Sequence, residues 1–87
     1  MKNCIINTGS IIEHDCFIDR NTHISPGASL AGGCKIGCNS HIGMGSTIIQ
    51  GTEIGDNVMI GAGAVVLNNI EDNVIAVGVP SKTIKRR

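Results

Sequence analysis

Every sixth residue from Ile6 to Val66 is aliphatic: Ile6, Ile12, Ile18, Ile24, Leu30, Ile36, Ile42, Ile48, Ile54, Ile60 and Val66. Four places after each come Ser10, Cys16, Thr22, Ala28, Cys34, Ser40, Ser46, Thr52, Val58 and Ala64, all small or β-branched. Glycine directly follows the aliphatic residue at Gly37, Gly43, Gly55 and Gly61. A period of six fits neither the 3.6 of an α-helix nor an unbroken strand alternation. It fits a short strand followed by a turn, repeated without interruption. Three such units make a triangular coil of eighteen residues whose interior takes the aliphatic side chain, and eleven units make between three and four coils. The small residue is expected inward at a cramped corner, and glycine is expected where tight turns demand a positive φ. Successive coils then lie about 4.8 Å apart, bonded strand to strand. The expectation is an all-β parallel β-helix in one domain, residues 1–87, with coils over about 4–70 and a closing segment over about 71–87. Spacing alone does not set its hand.

The register breaks at Asp72, and Val74 to Pro80 is expected to close the top of the coil. Ser81 to Arg87 reads as a short charged tail of one or two helical turns that covers the solenoid's sticky end. Formal net charge is zero and the basic residues gather only at Lys82, Lys85, Arg86 and Arg87, which argues against a nucleic-acid surface. Phe17 is the one aromatic residue, so stacking platforms for single strands are missing too. No apolar run reaches the roughly 18 residues of a membrane span, and no charged-then-apolar leader opens the chain, so a cytoplasmic protein is expected. Of four cysteines, Cys4, Cys16 and Cys34 fall at the small inward position and read as structural thiols; Cys34 and Cys38 lack the second pair that a zinc site needs.

Beyond the period, the strings NTGSIIEHDCFIDRNTHISPGA, LAGGCKIG, IGAGAVV and VGVPSK resemble the hexapeptide-repeat acyltransferases, in particular the sugar acetyltransferases of the sialic-acid and bacillosamine pathways. That resemblance implies a left-handed parallel β-helix, a homotrimer, and acetyl-CoA lying in the groove between neighbouring subunits. Carried over position by position, it makes His14 the general base and Asp15 the acid that orients it. It places Asn7 near the acceptor and His23 near the thioester, and lines the CoA groove with Gly32, Met44 and Ala62 and, toward its end, Gly78 and Lys82. No metal is implied. Family members carry an N-terminal nucleotide-sugar-binding domain before the matching segment, and this sequence does not include one.

The residues themselves suit such chemistry. Attack of an amine or hydroxyl on a thioester needs a proton acceptor effective near neutral pH, which is histidine's range. His14 falls on a turn, so its ring should project outward, with Glu13 and Asp15 beside it. Either carboxylate suits the orienting role by spacing alone. His23 and His41, eighteen apart, should stack on one edge, with Met59 continuing the column. The γ-class carbonic anhydrases share the fold, but their zinc needs three histidines, two of them five apart, and this chain has no such pair. Outward Ile11, Ile49, Val65 and Leu67 give the prism apolar faces better packed than wet, an independent motive for self-association. The reading is therefore acetyl transfer from acetyl-CoA to an amine or hydroxyl of a sugar-like small molecule. Its alternative is a non-catalytic trimeric β-helix module, or a truncated remnant of a longer enzyme. The acceptor, and O- against N-acetylation, are not written in the sequence.

Overall fold

Each six-residue unit contributes one two-residue strand to the computed structural model, which describes residues 3–87. Met1 and Lys2, at the start of the expected domain, lie outside the described residues. The strands are β1 (Ile5–Ile6), β2 (Ile11–Ile12), β3 (Phe17–Ile18), β4 (His23–Ile24), β5 (Ser29–Leu30), β6 (Lys35–Ile36), β7 (His41–Ile42), β8 (Thr47–Ile48), β9 (Glu53–Ile54), β10 (Met59–Ile60) and β11 (Val65–Val66). Two longer strands follow, β12 (Val74–Val77) and β13 (Lys82–Arg86). Every third strand stacks in register. Sheet A runs β1-β4-β7-β10-β12-β13, sheet B runs β2-β5-β8-β11, and sheet C runs β3-β6-β9. All pairs are parallel except β12 with β13. The result is a three-faced parallel β-helix of about four coils.

Because side chains alternate along a strand, the second residue of each strand points inward and the first outward. Ile24, Leu30, Ile42, Ile48 and Val66 are wholly buried, while Phe17, Lys35, Thr47, Glu53 and Met59 are exposed. The small residues complete the interior; Ser10 and Ser46 donate within their own turns, to Asn7 O and Gly43 O, while others bridge coils. Thr22 Oγ1 donates to Gly37 O at 2.7 Å and Ser40 Oγ to Gly55 O at 2.8 Å. Thiols do the same: Cys4 Sγ to Asp19 O at 2.8 Å, Cys16 Sγ to Ala31 O at 3.2 Å, Cys34 Sγ to Ile49 O at 3.1 Å. Each reaches the carbonyl fifteen residues ahead, so cysteine here is a compact donor that also tolerates burial. No described cysteine forms a disulfide.

Along the repeat positive φ falls at one position per corner, with Gly78 in the closing segment a further case. One corner carries Asn3, Asn21, Asn39, Asn57 and Asn73, the second Gly9, Gly27, Gly45 and Gly63, and the third Asp15, Gly33 and Gly51. Glycine and asparagine are the residues that enter this region most cheaply. Gly37, Gly43, Gly55 and Gly61 are not in it, contrary to the expectation from turn chemistry. Their reason is contact: a Cβ on Gly43 would lie 2.7 Å from Ala62 N, and one on Gly37 would lie 2.6 Å from Gly55 C. These glycines let the next coil seat.

The final coil differs from the sequence reading in two ways. The slip occurs between Val66 and Ile70 rather than at Asp72: Ile70 bridges to Ile54, and β12 pairs Ile75 with Met59, each sixteen residues on. Side chains finish sheet C, with Glu53 N donating to Asn69 Oδ1 at 2.9 Å and Asp56 N to Asp72 Oδ1 at 2.8 Å. The tail is a strand, not a helical turn. Gly78 O accepts from Val65 N at 3.0 Å, Ser81 N donates to Val65 O at 2.8 Å, and β13 then folds back antiparallel on β12. The unpaired edge of β12 offers a full set of backbone partners, which an isolated turn of helix does not match.

Gly43→Ala should drive its methyl into the Gly61–Ala62 backbone and cost about 1–3 kcal/mol, read as a lower urea midpoint at fixed protein concentration. An unchanged midpoint would refute the close-seating account.

Candidate functional site

The turn between β2 and β3 carries His14 and Asp15 at the corner where sheets B and C meet, and both are exposed. Asp15 holds φ 62° where Gly33 and Gly51, directly above it, hold 74° and 75°. An acidic side chain thus occupies a position that the coil otherwise gives to glycine. Asp15 and His14 are neighbours on the turn, with no hydrogen bond between their side chains. The corner is locked to those above through Gly33 N to His14 O at 3.2 Å and Gly51 N to Gly32 O at 3.0 Å. His14, Gly32 and Gln50 therefore occupy one corner position in three successive coils.

Gly32 differs from the other glycines. Seven of them have positive φ: Gly9, Gly27, Gly33, Gly45, Gly51, Gly63 and Gly78. Gly37, Gly43, Gly55 and Gly61 have no room for a Cβ. Gly32 has neither restriction. A Cβ there would meet nothing nearer than His14 O at 3.6 Å and His14 Nε2 at 3.9 Å, ordinary van der Waals distances. The fold would accept alanine. What the missing side chain does is keep open a polar notch whose walls include Glu13, His14, Asp15, Gly33 and Gln50. The Gly32 N–H makes no backbone hydrogen bond among the described residues, and Gly32 is part of the notch lining.

A second polar group stands on sheet A. Asn7 Nδ2 and His23 Nε2 are hydrogen-bonded at 2.6 Å. His23 stacks on His41, as their spacing predicts, with ring centroids 4.7 Å apart and planes tilted by 40°. His41 Nε2 pairs with Ser25 Oγ at 3.0 Å. Burial, then the nearby His23 and Arg87, hold the His41 pKa below its ordinary 6.5. Met59 continues the column above.

The expected site residues fall into separate groups. His14, Asp15 and Gly32 share the corner between sheets B and C, whereas Asn7 and His23 belong to sheet A, the face opposite that corner in a three-sided prism. One chain does not bring them together. Met44 and Ala62 stack on the corner between sheets A and B, tied by Gly63 N to Met44 O at 2.8 Å. Sheet B is thus bordered by His14 and Gly32 on one side, Met44 and Ala62 on the other, and Gly78 over Val65 at its top. Its outer surface is an apolar groove with Ile11, Ala31 and Ile49 in its lining. Lys82 begins β13, exposed and paired with Val77. Cys34 points into the core and Cys38 lies at the corner between sheets C and A. No group of three metal-ligating side chains is assembled among the described residues. Gln50 was missed by the sequence reading, although its spacing of eighteen from Gly32 placed it on the same corner.

This architecture defines a class, a solenoid with a polar notch at one edge, and the comparisons with known proteins give the family. Residues 33–68 match the family described as Bacterial transferase hexapeptide (six repeats). The acetyltransferase domain of PglB from Neisseria gonorrhoeae FA1090, solved with acetyl coenzyme A, is 43% identical with a TM-score of 0.92; the match covers 93% of this chain and 40% of that one. PerB from Caulobacter crescentus, solved with CoA and GDP-perosamine, is 41% identical with a TM-score of 0.92, over 93% of this chain and 39% of that one. Serine acetyltransferase (CysE) from Neisseria gonorrhoeae is 30% identical with a TM-score of 0.90, over 95% and 36%. No curated protein sequence is significantly similar to this chain. Residues 33–68 thus carry the repeat of that family, and the chain shares the parallel β-helix fold of these acetyltransferases. It spans about two fifths of the length of the PglB and PerB chains.

The His41 environment has a consequence for stability. A histidine whose folded pKa lies below 6.5 binds its proton more readily when unfolded. Its contribution is constant above the unfolded value, declines as pH falls through 6.5, and is fully lost below the folded pKa. The urea midpoint should therefore fall between about pH 7.5 and about pH 5.5, and fall less in His41→Gln. Equal declines in the two proteins would exclude His41 as the source.

Proposed function

We propose that this β-helix transfers an acetyl group from acetyl-CoA to an amine or hydroxyl of a sugar-like acceptor, working as a homotrimer. The observation that carries the reading is Gly32, a glycine the fold does not require, which leaves open space beside His14 Nε2. The family match supports it, as do similar structures whose ligands are acetyl coenzyme A, or CoA with GDP-perosamine.

In this reading the pantetheine arm lies in the apolar groove of sheet B, between the corners carrying Gly32 and those carrying Met44 and Ala62, with Gly78 and Lys82 toward the nucleotide end. The thioester enters the notch. His14 Nε2 takes the proton from the acceptor as its nitrogen or oxygen attacks the thioester carbon, and Asp15 is the carboxylate beside the imidazolium that forms. The Gly32 N–H is a donor for the oxyanion of the tetrahedral intermediate. Collapse breaks the carbon–sulfur bond, and the departing thiolate recovers the proton from His14. Nothing else is consumed.

Self-association follows from the separation of the two polar groups. Asn7 and His23 lie on the face opposite His14, so they contribute to a shared site only when a second copy presents them. Exposed Ile11, Ile49 and Leu67 border the groove and give the neighbouring copy an apolar surface to cover.

Calorimetry with acetyl-CoA should give roughly micromolar affinity, about −8 kcal/mol, and sedimentation should give a trimer. His14→Ala should retain binding while transfer falls by roughly 10²–10⁴-fold. Gly32→Ala should keep the wild-type urea midpoint or raise it slightly, since alanine reduces the freedom of the unfolded chain by about 0.4–1 kcal/mol, yet should lose most of its transfer activity. A fully active Gly32→Ala would mean the notch is not the ligand's path. No binding by the wild type at millimolar acetyl-CoA would leave a non-catalytic β-helix module.

A further inference from the structure

We infer that Gln50 is a positioning residue for the thioester donor, its carboxamide hydrogen-bonding an amide of the pantetheine arm at the mouth of the His14 notch. This rests on the reading of acetyl-CoA as donor and adds to it a residue that the sequence reading did not assign.

His14, Gly32 and Gln50 take the same turn position in three successive coils, fixed by Gly33 N to His14 O at 3.2 Å and Gly51 N to Gly32 O at 3.0 Å. Thr52 N to Ile49 O at 3.3 Å closes the turn that bears Gln50, and Gly51, at φ 75°, completes it. With no side chain at Gly32, His14 and Gln50 flank a gap one coil tall, their backbones about 9.6 Å apart at the spacing of stacked strands. An extended chain lying over Gly32 therefore passes about 4.8 Å from the backbone level of each. The gap suits a single extended arm.

Gln50 also lies where two surfaces meet. It and Glu13 line both the polar notch and the apolar groove of sheet B. An arm running along the groove with its thioester in the notch must cross between them. The two differ in what they offer. An ionised Glu13 only accepts, whereas a carboxamide has one acceptor oxygen and two donor hydrogens and so can serve both the C=O and the N–H of a secondary amide. The Gln50 carboxamide has no hydrogen-bond partner among the described residues and is exposed, hence available. An amide drawn from water into an apolar groove is costly unless it is paired, and Gln50 is the neutral group at the crossing that can pair with it.

The test is titration of the trimer with acetyl-CoA, CoA and adenosine 3′,5′-diphosphate, for wild type and for Gln50→Leu, which keeps the bulk and removes the polar atoms. One uncharged hydrogen bond predicts roughly three- to tenfold weaker binding of both acetyl-CoA and CoA, because both contain the amide. Adenosine 3′,5′-diphosphate, which lacks the arm, should bind wild type and variant equally. A lost contact that is the same in ground and transition states should leave kcat within about twofold. Unchanged acetyl-CoA affinity in Gln50→Leu would overturn the inference, as would an equal loss for the diphosphate. If wild type itself fails to bind acetyl-CoA, the proposed function falls along with it, so the two failures are told apart by the wild-type titration.

Discussion

Everything in this molecule depends on in-register backbone bonding between coils, each coil's N–H groups donating to carbonyls of the next. Ile5 N to Thr22 O, His23 N to Ser40 O and His41 N to Val58 O, at 3.0, 3.0 and 2.8 Å, are three rungs of one ladder on sheet A. Strands of two residues have almost no intrinsic stability. They persist because each is held above and below, and because Ile24, Ile42 and Ile60 stack behind the ladder in a dry interior. A side chain's height and face are then set by its position modulo eighteen, and side chains are arranged in columns.

Column geometry constrains which chemistry can be built. Neighbours on a column are one strand spacing apart, close enough for His23 to stack on His41 at 4.7 Å. A wider opening on a column is made by omitting a side chain. Removing the side chain at Gly32 opens a gap of two spacings between His14 and Gln50 without disturbing the ladder. Asp15 is the complementary case: a residue with a carboxylate accepts φ 62° where the coils above have glycine. Aspartate is among the few side chains that tolerate this region, and it places an acid next to His14.

The interior shows how a small chain can bury polar atoms without loss. Thr22, Ser40 and Cys34 sit against the core, and each donates to a carbonyl of the next corner. A hydroxyl or thiol at Thr22, Ser40 and Cys34 thus ties two coils in addition to filling space, whereas Ser10 and Ser46 close their own turns. No buried side-chain nitrogen or oxygen lacks a partner among the described residues.

The sequence by itself determined the coil, its three-sided cross-section, the inward residues and the stacking of His23 on His41, because each follows from a strict period carried by eleven aliphatic positions. It identified His14 as an outward turn residue for the same reason. Only the tertiary structure sorted the glycines into those that need a positive φ, those that need space and Gly32, which needs neither, since that distinction depends on atoms eighteen residues away. It also decided the last coil, where a four-residue step from Val66 to Ile70 replaces six, and the tail, where β13 forms a strand because β12 presents an open edge. Above all it separated His14 from Asn7 and His23. A period assigns each residue a face and a height, but how far the His23 face stands from the His14 corner is set by the width of the packed interior between them.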